Sequence, residues 1–210
     1  MKKLLSIIIA SFLLISTAKA EVSFGFGLMA GQASTSGTET EGTAADTSNR
    51  SKSIDEFFVG ADIFVEKELG NGMIFGVSYV PVDVELGSGN RTDTNGSDPA
   101  ENDDGTRKAS ADLADLITLY GNFPVGGGGA YALAGMHFTT VETSETLPNS
   151  SYGNQDIEGY MIGLGRKGDN AKIELFYSDF EDISLTATGG GTNSIAADAD
   201  ALTLRVSYGF

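Results

Sequence analysis

The chain has 210 residues, with 29 acidic and 13 basic side chains and a net charge of −16. This balance argues against a nucleic-acid-binding protein, because phosphate recognition needs clustered Lys and Arg. It contains no cysteine, so disulfides are excluded and the fold must be held together by hydrogen bonds and packing.

The first twenty residues have the three parts of a secretory signal peptide. Lys2 and Lys3 precede an apolar run, and Ala18-Lys19-Ala20 places small residues at a cleavage site. The apolar run is shorter than the roughly 20 residues that a transmembrane helix needs. We therefore expect residues 1–20 to be removed, leaving a mature chain of residues 21–210.

Apolar side chains alternate with small or polar ones along the rest of the chain, which predicts β-strands with one apolar face. In the second predicted strand Phe57, Val59, Ala61, Ile63 and Val65 share a face. Pro81 cannot donate to a strand ladder, so it predicts a bulge in the third strand. The predicted strands are 22–33, 56–69, 73–86, 110–123, 129–143, 155–167, 171–186 and 198–210.

The segments between these strands alternate in length. Short glycine-rich turns are predicted at 70–72, 124–128 and 168–170, and longer polar loops at 34–55, 87–109, 144–154 and 187–197. This alternation indicates an all-β, eight-stranded antiparallel up-and-down transmembrane β-barrel. An unpaired backbone group costs several kcal/mol in hydrocarbon, so the first and last strands must pair. Aromatic residues are expected to form interfacial belts, with Phe123, Tyr131, Tyr208 and Phe210 at one edge and Tyr79, Phe138 and Tyr160 at the other.

The last predicted strand ends in Tyr208-Gly209-Phe210, and the segment 116–123 leads into a glycine-rich turn. With these features the chain resembles the small eight-stranded outer-membrane barrels, the OmpA-barrel, OmpX and opacity-protein group. In their C-terminal assembly signal, Tyr208 and Phe210 match, while Arg205 stands where glycine is usual. The resemblance implies a monomer in the outer membrane of a Gram-negative bacterium. It also implies contacts with outer-membrane lipid, lipopolysaccharide and the barrel-assembly machinery. The sequence leaves no room for a periplasmic peptidoglycan-binding domain after Phe210, so none is expected.

Four charged residues are expected to point into the barrel, because their neighbours on the same strands form the lipid-facing side: Asp62, Glu66, Glu174 and Arg205. Side chains can fill an eight-stranded barrel, and buried charges must pair. We expect Arg205 to pair with Glu174 or Glu66. Two interpretations stay open at this point: a plug of salt bridges, or a gate or selectivity site.

Two further groups of residues could carry chemistry. The acidic segment 93–104 resembles a calcium loop, but Asp98 and Asp104 occupy the positions that require Gly and Glu. We predict a solvated acidic loop, with weak divalent-cation binding as the alternative. His137 is the one histidine, and we expect it to lie at a polar interface. Lipid A deacylases of the PagL type use His-x-Ser, whereas Thr139 stands at the serine position here and the surrounding motif is absent.

From the sequence we therefore predict no enzyme, no cofactor and no metal site. The predicted function is a non-enzymatic outer-membrane barrel with extended acidic surface loops, serving envelope structure or surface interaction. The first alternative is a narrow porin-like channel for small solutes. The second is a soluble periplasmic or secreted β-sandwich.

Overall fold

The computed structural model describes residues 21–43, 46–93, 105–146, 150–189 and 193–210. The predicted signal peptide lies outside these described residues. Among them no helix is long and apolar enough to cross a membrane. The strands are β1 Glu21–Thr43, β2 Asp46–Glu68, β3 Ile74–Val80, β4 Val84–Asp93, β5 Gly105–Pro124, β6 Ala130–Glu145, β7 Ser150–Ser151, β8 Gln155–Lys167, β9 Ala171–Phe180, β10 Ile183–Thr186, β11 Thr188–Gly189 and β12 Ser194–Gly209.

These strands form a closed antiparallel ring. The hydrogen-bonded order is β1-β2-β3-β5-β6-β8-β9-β12, and β12 pairs back onto β1. The strand β4 continues the position of β3 beside β5, and β10 pairs with β12 beyond the end of β9. The ring therefore has eight strand positions, and the predicted eight-stranded up-and-down barrel is confirmed.

The stagger of the strands fixes their tilt. When hydrogen-bonded partners are followed from strand to strand, starting at Phe24, the path returns to β1 at Ser34. It therefore ends ten residues further along β1 than it began. A stagger of ten residues, at ~3.3 Å per residue and ~4.8 Å between strands, corresponds to a tilt of about 40°. The path passes through Val65, Val77, Leu119, Met136, Tyr160, Asp179 and Asp200.

The outer face of the ring carries a continuous apolar band. Leu28, Ile162 and Leu164 are each more than 60% exposed, and a soluble surface rarely carries so large an apolar patch. On β12 the band runs from Phe210 to Leu202, eight residue steps that span about 20 Å at this tilt. Other exposed members are Phe24, Phe26, Val59, Ile63, Ile173, Leu175, Leu204 and Val206. A closed ring with such a band has the surface that a lipid bilayer solvates.

Several predicted loops are wrong, because the ladder continues through them. The hairpin of β1 and β2 pairs as far as Thr43 and Asp46, and that of β4 and β5 pairs as far as Asp93 and Gly105. The last strand begins at Ser194 rather than after the predicted loop 187–197. Polar residues predominate in these segments, so no sustained apolar alternation marks them as strands.

At Pro81, where a bulge was predicted, the predicted third strand is instead broken in two. The strand β3 ends at Val80 and β4 begins at Val84. Opposite this break, Asp115 adopts a left-handed backbone conformation (φ 53°), and the β5–β6 register shifts between Ala114 and Ile117. The regular backbone pairing of the barrel wall is therefore interrupted here, near the edge of the apolar band.

The apolar band predicts how stability responds to charge. Ile162→Lys should lower the free energy of unfolding in lipid vesicles by about 2–4 kcal/mol, because the ammonium group would lie near the middle of the band. Ser36→Lys, on the exposed β1–β2 extension, is the matched control and should change it by less than about 1 kcal/mol. Equal effects at the two positions would contradict the assignment of the band to lipid.

Candidate functional site: a charged layer inside the barrel

The alternation that sends apolar side chains outward sends charged ones inward. Along β9, Ile173 and Leu175 are half exposed, whereas Lys172 and Glu174 are buried. The four predicted interior charges all lie inside the barrel: Asp62 is 1%, Glu66 4%, Glu174 2% and Arg205 5% exposed.

Arg205 lies between two carboxylates from different strands. Its Nε donates to Asp62 Oδ1 at 3.1 Å and its Nη2 donates to Asp62 Oδ2 at 2.6 Å. Its Nη1 donates to Glu174 Oε2 at 2.7 Å. The guanidinium of β12 therefore joins β2 to β9, with the bidentate geometry that makes Arg–carboxylate pairs strong.

A second ion pair lies beside the first. Lys172 pairs with Glu66, the other glutamate considered as a partner of Arg205. Two tyrosine hydroxyls complete the set: Tyr120 donates to Glu66 at 2.7 Å and Tyr131 donates to Glu174 at 2.7 Å. These donors matter because a buried carboxylate needs every available hydrogen bond to offset its desolvation.

Aromatic rings cover the two cations. The ring of Phe64 lies 4.9 Å from the Arg205 guanidinium and 5.1 Å from Lys172 Nζ. The ring of Tyr120 lies 5.8 Å from the same guanidinium. We call this set the charged layer: Asp62, Phe64, Glu66, Tyr120, Tyr131, Lys172, Glu174 and Arg205.

Inward glycines on the remaining strands make room for the charged layer. A Cβ on Gly27 of β1 would lie 2.2 Å from Asp62 Oδ1, and a Cβ on Gly76 of β3 would lie 2.3 Å from the Tyr120 ring. A Cβ on Gly165 of β8 would lie 2.4 Å from the Tyr131 ring. Large side chains from five strand positions thus occupy the space that three glycine-bearing positions leave.

The charged layer separates two cavities. One, of about 450 Å³, lies at the short-turn end and is lined by Glu68, Lys167 and Asn170 among others. The other, of about 430 Å³, lies at the end with the long hairpins. A cavity of about 70 Å³ lies against the charged layer itself, where Arg205 and His137 both line it.

His137 lies inside the barrel and is 4% exposed, so its expected place at a polar interface is wrong. Its Nδ1 lies 2.8 Å from the Thr118 hydroxyl and its Nε2 lies 2.9 Å from the Ser178 hydroxyl. Its ring stacks on Phe180 with centroids 5.4 Å apart. Both ring nitrogens therefore have hydroxyl partners, which is the arrangement of a packed polar layer.

Four members of the charged layer were not predicted as site residues: Phe64, Tyr120, Tyr131 and Lys172. Tyr131 was expected in an interfacial belt, but it is buried at 4% exposure and reaches Glu174. No position inside the barrel was predicted for Tyr120 or Lys172. Each large ring has a glycine beside it, since Tyr120 pairs directly with Gly76 and Tyr131 with Gly165. This pairing depends on the strand register, which no local sequence pattern supplies.

Tyr208 and Phe210 lie at the seam where β12 meets β1. Their rings pack edge to face with centroids 5.2 Å apart, and both lie 6.4 Å from the Phe26 ring. The Phe210 amide donates to the Phe24 carbonyl at 2.8 Å. Their role as an assembly signal stays a prediction.

The acidic segment is not tested. Residues 94–104, with Asp98 and Asp104, lie outside the described residues. Within the described part of the chain, no three His, Asp or Glu side chains come together as a possible metal site.

Comparison with known proteins shows that solved structures share the architecture of this chain. No family model matches the chain, and no curated protein matches it. Among solved structures it is similar to Neisserial surface protein A (11% identity, 91% of this chain, 99% of that chain, TM-score 0.41). It is also similar to Ail of Yersinia pestis, solved with a heparin analogue (12% identity, 90% of this chain, 99% of that chain, TM-score 0.41). A third similar structure is OprG of Pseudomonas aeruginosa (10% identity, 89% of this chain, 96% of that chain, TM-score 0.48).

The glycine at position 27 provides a direct test of the packing. Gly27→Ala should lower the free energy of unfolding by about 2 kcal/mol, because the new methyl would displace Asp62 and Arg205. Gly60→Ala is the matched control: its Cβ would meet only Met29 Cε, at an ordinary 3.6 Å. The control should stay within about 1 kcal/mol of the wild type. Urea unfolding in vesicles measures both, and equal losses would show that the charged layer is loosely packed.

Proposed function

We propose that this chain is a non-enzymatic integral protein of the bacterial outer membrane with a sealed lumen. In this proposal its long hairpins extend outside the cell, where they serve envelope structure or surface interaction. The observation that carries the proposal is the charged layer, in which Arg205 is held by Asp62 and Glu174 across the interior.

The energetics favour a closed lumen. Removing Arg205 from its partners would leave two buried carboxylates uncompensated, which typically costs about 3–5 kcal/mol. A state of that free energy is populated at roughly 1% or less. Solute passage that requires displacing Arg205 would therefore be rare.

The membrane placement is supported by the outer surface and by the ends of the ring. The apolar band needs lipid, and the ladder between β1 and β12 leaves no open edge at the seam. Short turns such as Gly70-Asn71-Gly72 lie at one end and long polar hairpins at the other. We place the short turns on the periplasmic side. Contacts with lipopolysaccharide and with the assembly machinery remain part of the proposal.

Outward-facing carboxylates border the edge of the apolar band that is nearer the long hairpins. Tyr160 is exposed in the band. Its partner on β9 is Asp179, and the partner of Asp179 on β12 is Asp200. Such a border fixes the depth of the barrel, because a carboxylate at the middle of a bilayer is costly. The extension beyond this border lies in water and supplies the surface for interaction.

A narrow solute channel is the second candidate. The cavities of about 450 Å³ and 430 Å³ on the two sides of the charged layer favour it. In that case the same side chains would act as a selectivity filter, and their movement would connect the two cavities.

Single-channel recording separates these two functions. The refolded mature chain should leave a planar bilayer electrically silent, because its charged layer fills the cross-section. As a matched variant, Tyr120→Ala with Tyr131→Ala removes bulk without removing a charge, and it should give discrete current steps.

Insertion is verified independently by heat-modifiable migration on gels and by protease protection. Reproducible steps from the inserted wild type would overturn the sealed lumen and favour the channel. Silence from both proteins after confirmed insertion would show that the tyrosines are not what closes the interior.

A further inference from the structure

At the end with the long hairpins, the described residues form no backbone ladder between β2 and β4. Among the described pairings, β2 forms a ladder with β3 only from Ile63 to Glu68, while β4 pairs with β5. Side chains bridge the space between β2 and β4: Lys52 Nζ donates to the Ser88 carbonyl at 3.4 Å. Gly87 and Gly89 of β4 leave room for Ile54 and Lys52, since a Cβ there would lie 2.9 Å and 3.3 Å from them.

The cavity of about 430 Å³ lies beside this gap, and much of its wall is apolar. Leu86 is 2% and Val141 1% exposed, and both belong to one cluster of buried hydrophobic residues. Other apolar residues of the wall are Ile54, Ile183, Leu185 and Ile195. The volume falls within the range of roughly 300–1,000 Å³ found for small-molecule sites.

Cationic side chains gather around this cavity although the chain is strongly acidic. Arg50, Lys52 and Lys108 line it, out of 13 basic residues against 29 acidic ones. Two carboxylates also line it, and Tyr152 engages both: its hydroxyl donates to Glu39 at 2.8 Å and its amide to Glu145 at 2.7 Å. Lys52 has a neutral carbonyl partner, so its charge is available to attract an anion.

We propose that this cavity binds a single-chain amphiphile with an anionic head, of the alkyl carboxylate class. The alkyl chain would lie against Leu86, Val141 and Leu185, and the carboxylate would lie near Lys52 and Lys108. This site goes beyond the proposed function and does not depend on whether the lumen is sealed.

The probe is decanoate, added to the refolded chain in lipid nanodiscs and followed by NMR of the Ile, Leu and Val methyl groups. The methyls of Ile54 and Leu185 should shift and saturate. The methyls of Ile162 and Leu164, on the apolar band, are the internal control and should report only unsaturable partitioning into lipid. Decanol, which lacks the charge, should bind about tenfold more weakly.

Variants test the two halves of the site. Lys52→Gln with Lys108→Gln should raise the dissociation constant of decanoate about tenfold. Lys167→Gln, at the opposite end of the barrel, should leave it unchanged. Ala111→Phe, which fills the cavity, should abolish the saturable shifts, and the wild-type pattern of the band methyls verifies folding.

Two results would overturn the proposal. If the Ile54 and Leu185 methyls respond like those of the band, or keep responding in the Ala111→Phe variant, the cavity is not the site. If the double lysine variant binds decanoate as tightly as the wild type, the ligand is not recognised as an anion.

Discussion

The structure depends on one constraint: a sheet in hydrocarbon must pair all its backbone groups, so it must close on itself. The ladder from Gly25–Gly209 to Thr40–Ser194 achieves that closure. Eight positions and a stagger of ten residues then fix the bore, and an eight-stranded ring leaves an interior that side chains can fill. Each strand presents one face to lipid and the other to the lumen. The alternation of residues that builds the apolar band therefore also determines which side chains fill the interior.

The interior uses that narrow space by combining large charged side chains with glycines. Gly27, Gly76 and Gly165 approach Asp62, Tyr120 and Tyr131 so closely that no side chain could replace their hydrogens without displacement. Arg205 then connects strands that do not neighbour one another, because β12 and β2 are separated by β1 in the ring. The same contacts join separate strands through the interior. In the proposed function they also close the lumen, so stability and impermeability would have a common physical origin.

The sequence predicted the closed ring and the inward direction of Arg205, because both follow from a period of two residues. It could not identify both partners. Glu174 is opposite Arg205 in the β9–β12 ladder, whereas Asp62 comes level with Arg205 only through the stagger, which no local pattern encodes. The long hairpins were taken for loops because polar residues predominate in them and no sustained apolar alternation marks one face. Tyr131 and His137 were misplaced because apolar residues lie on both faces of β6, so the sequence did not define which face points inward.

The most direct test of this account is the free energy of unfolding in lipid vesicles for Arg205→Met, alone and combined with Asp62→Asn and Glu174→Gln. Lys167→Met, which breaks the partly exposed pair with Glu68, is the control and should cost less than about 1 kcal/mol. Arg205→Met alone should cost about 3–5 kcal/mol, since it leaves two buried carboxylates unpaired. Neutralising both carboxylates should restore most of that loss. A loss of less than about 1 kcal/mol for Arg205→Met alone, or no recovery in the triple variant, would contradict the account.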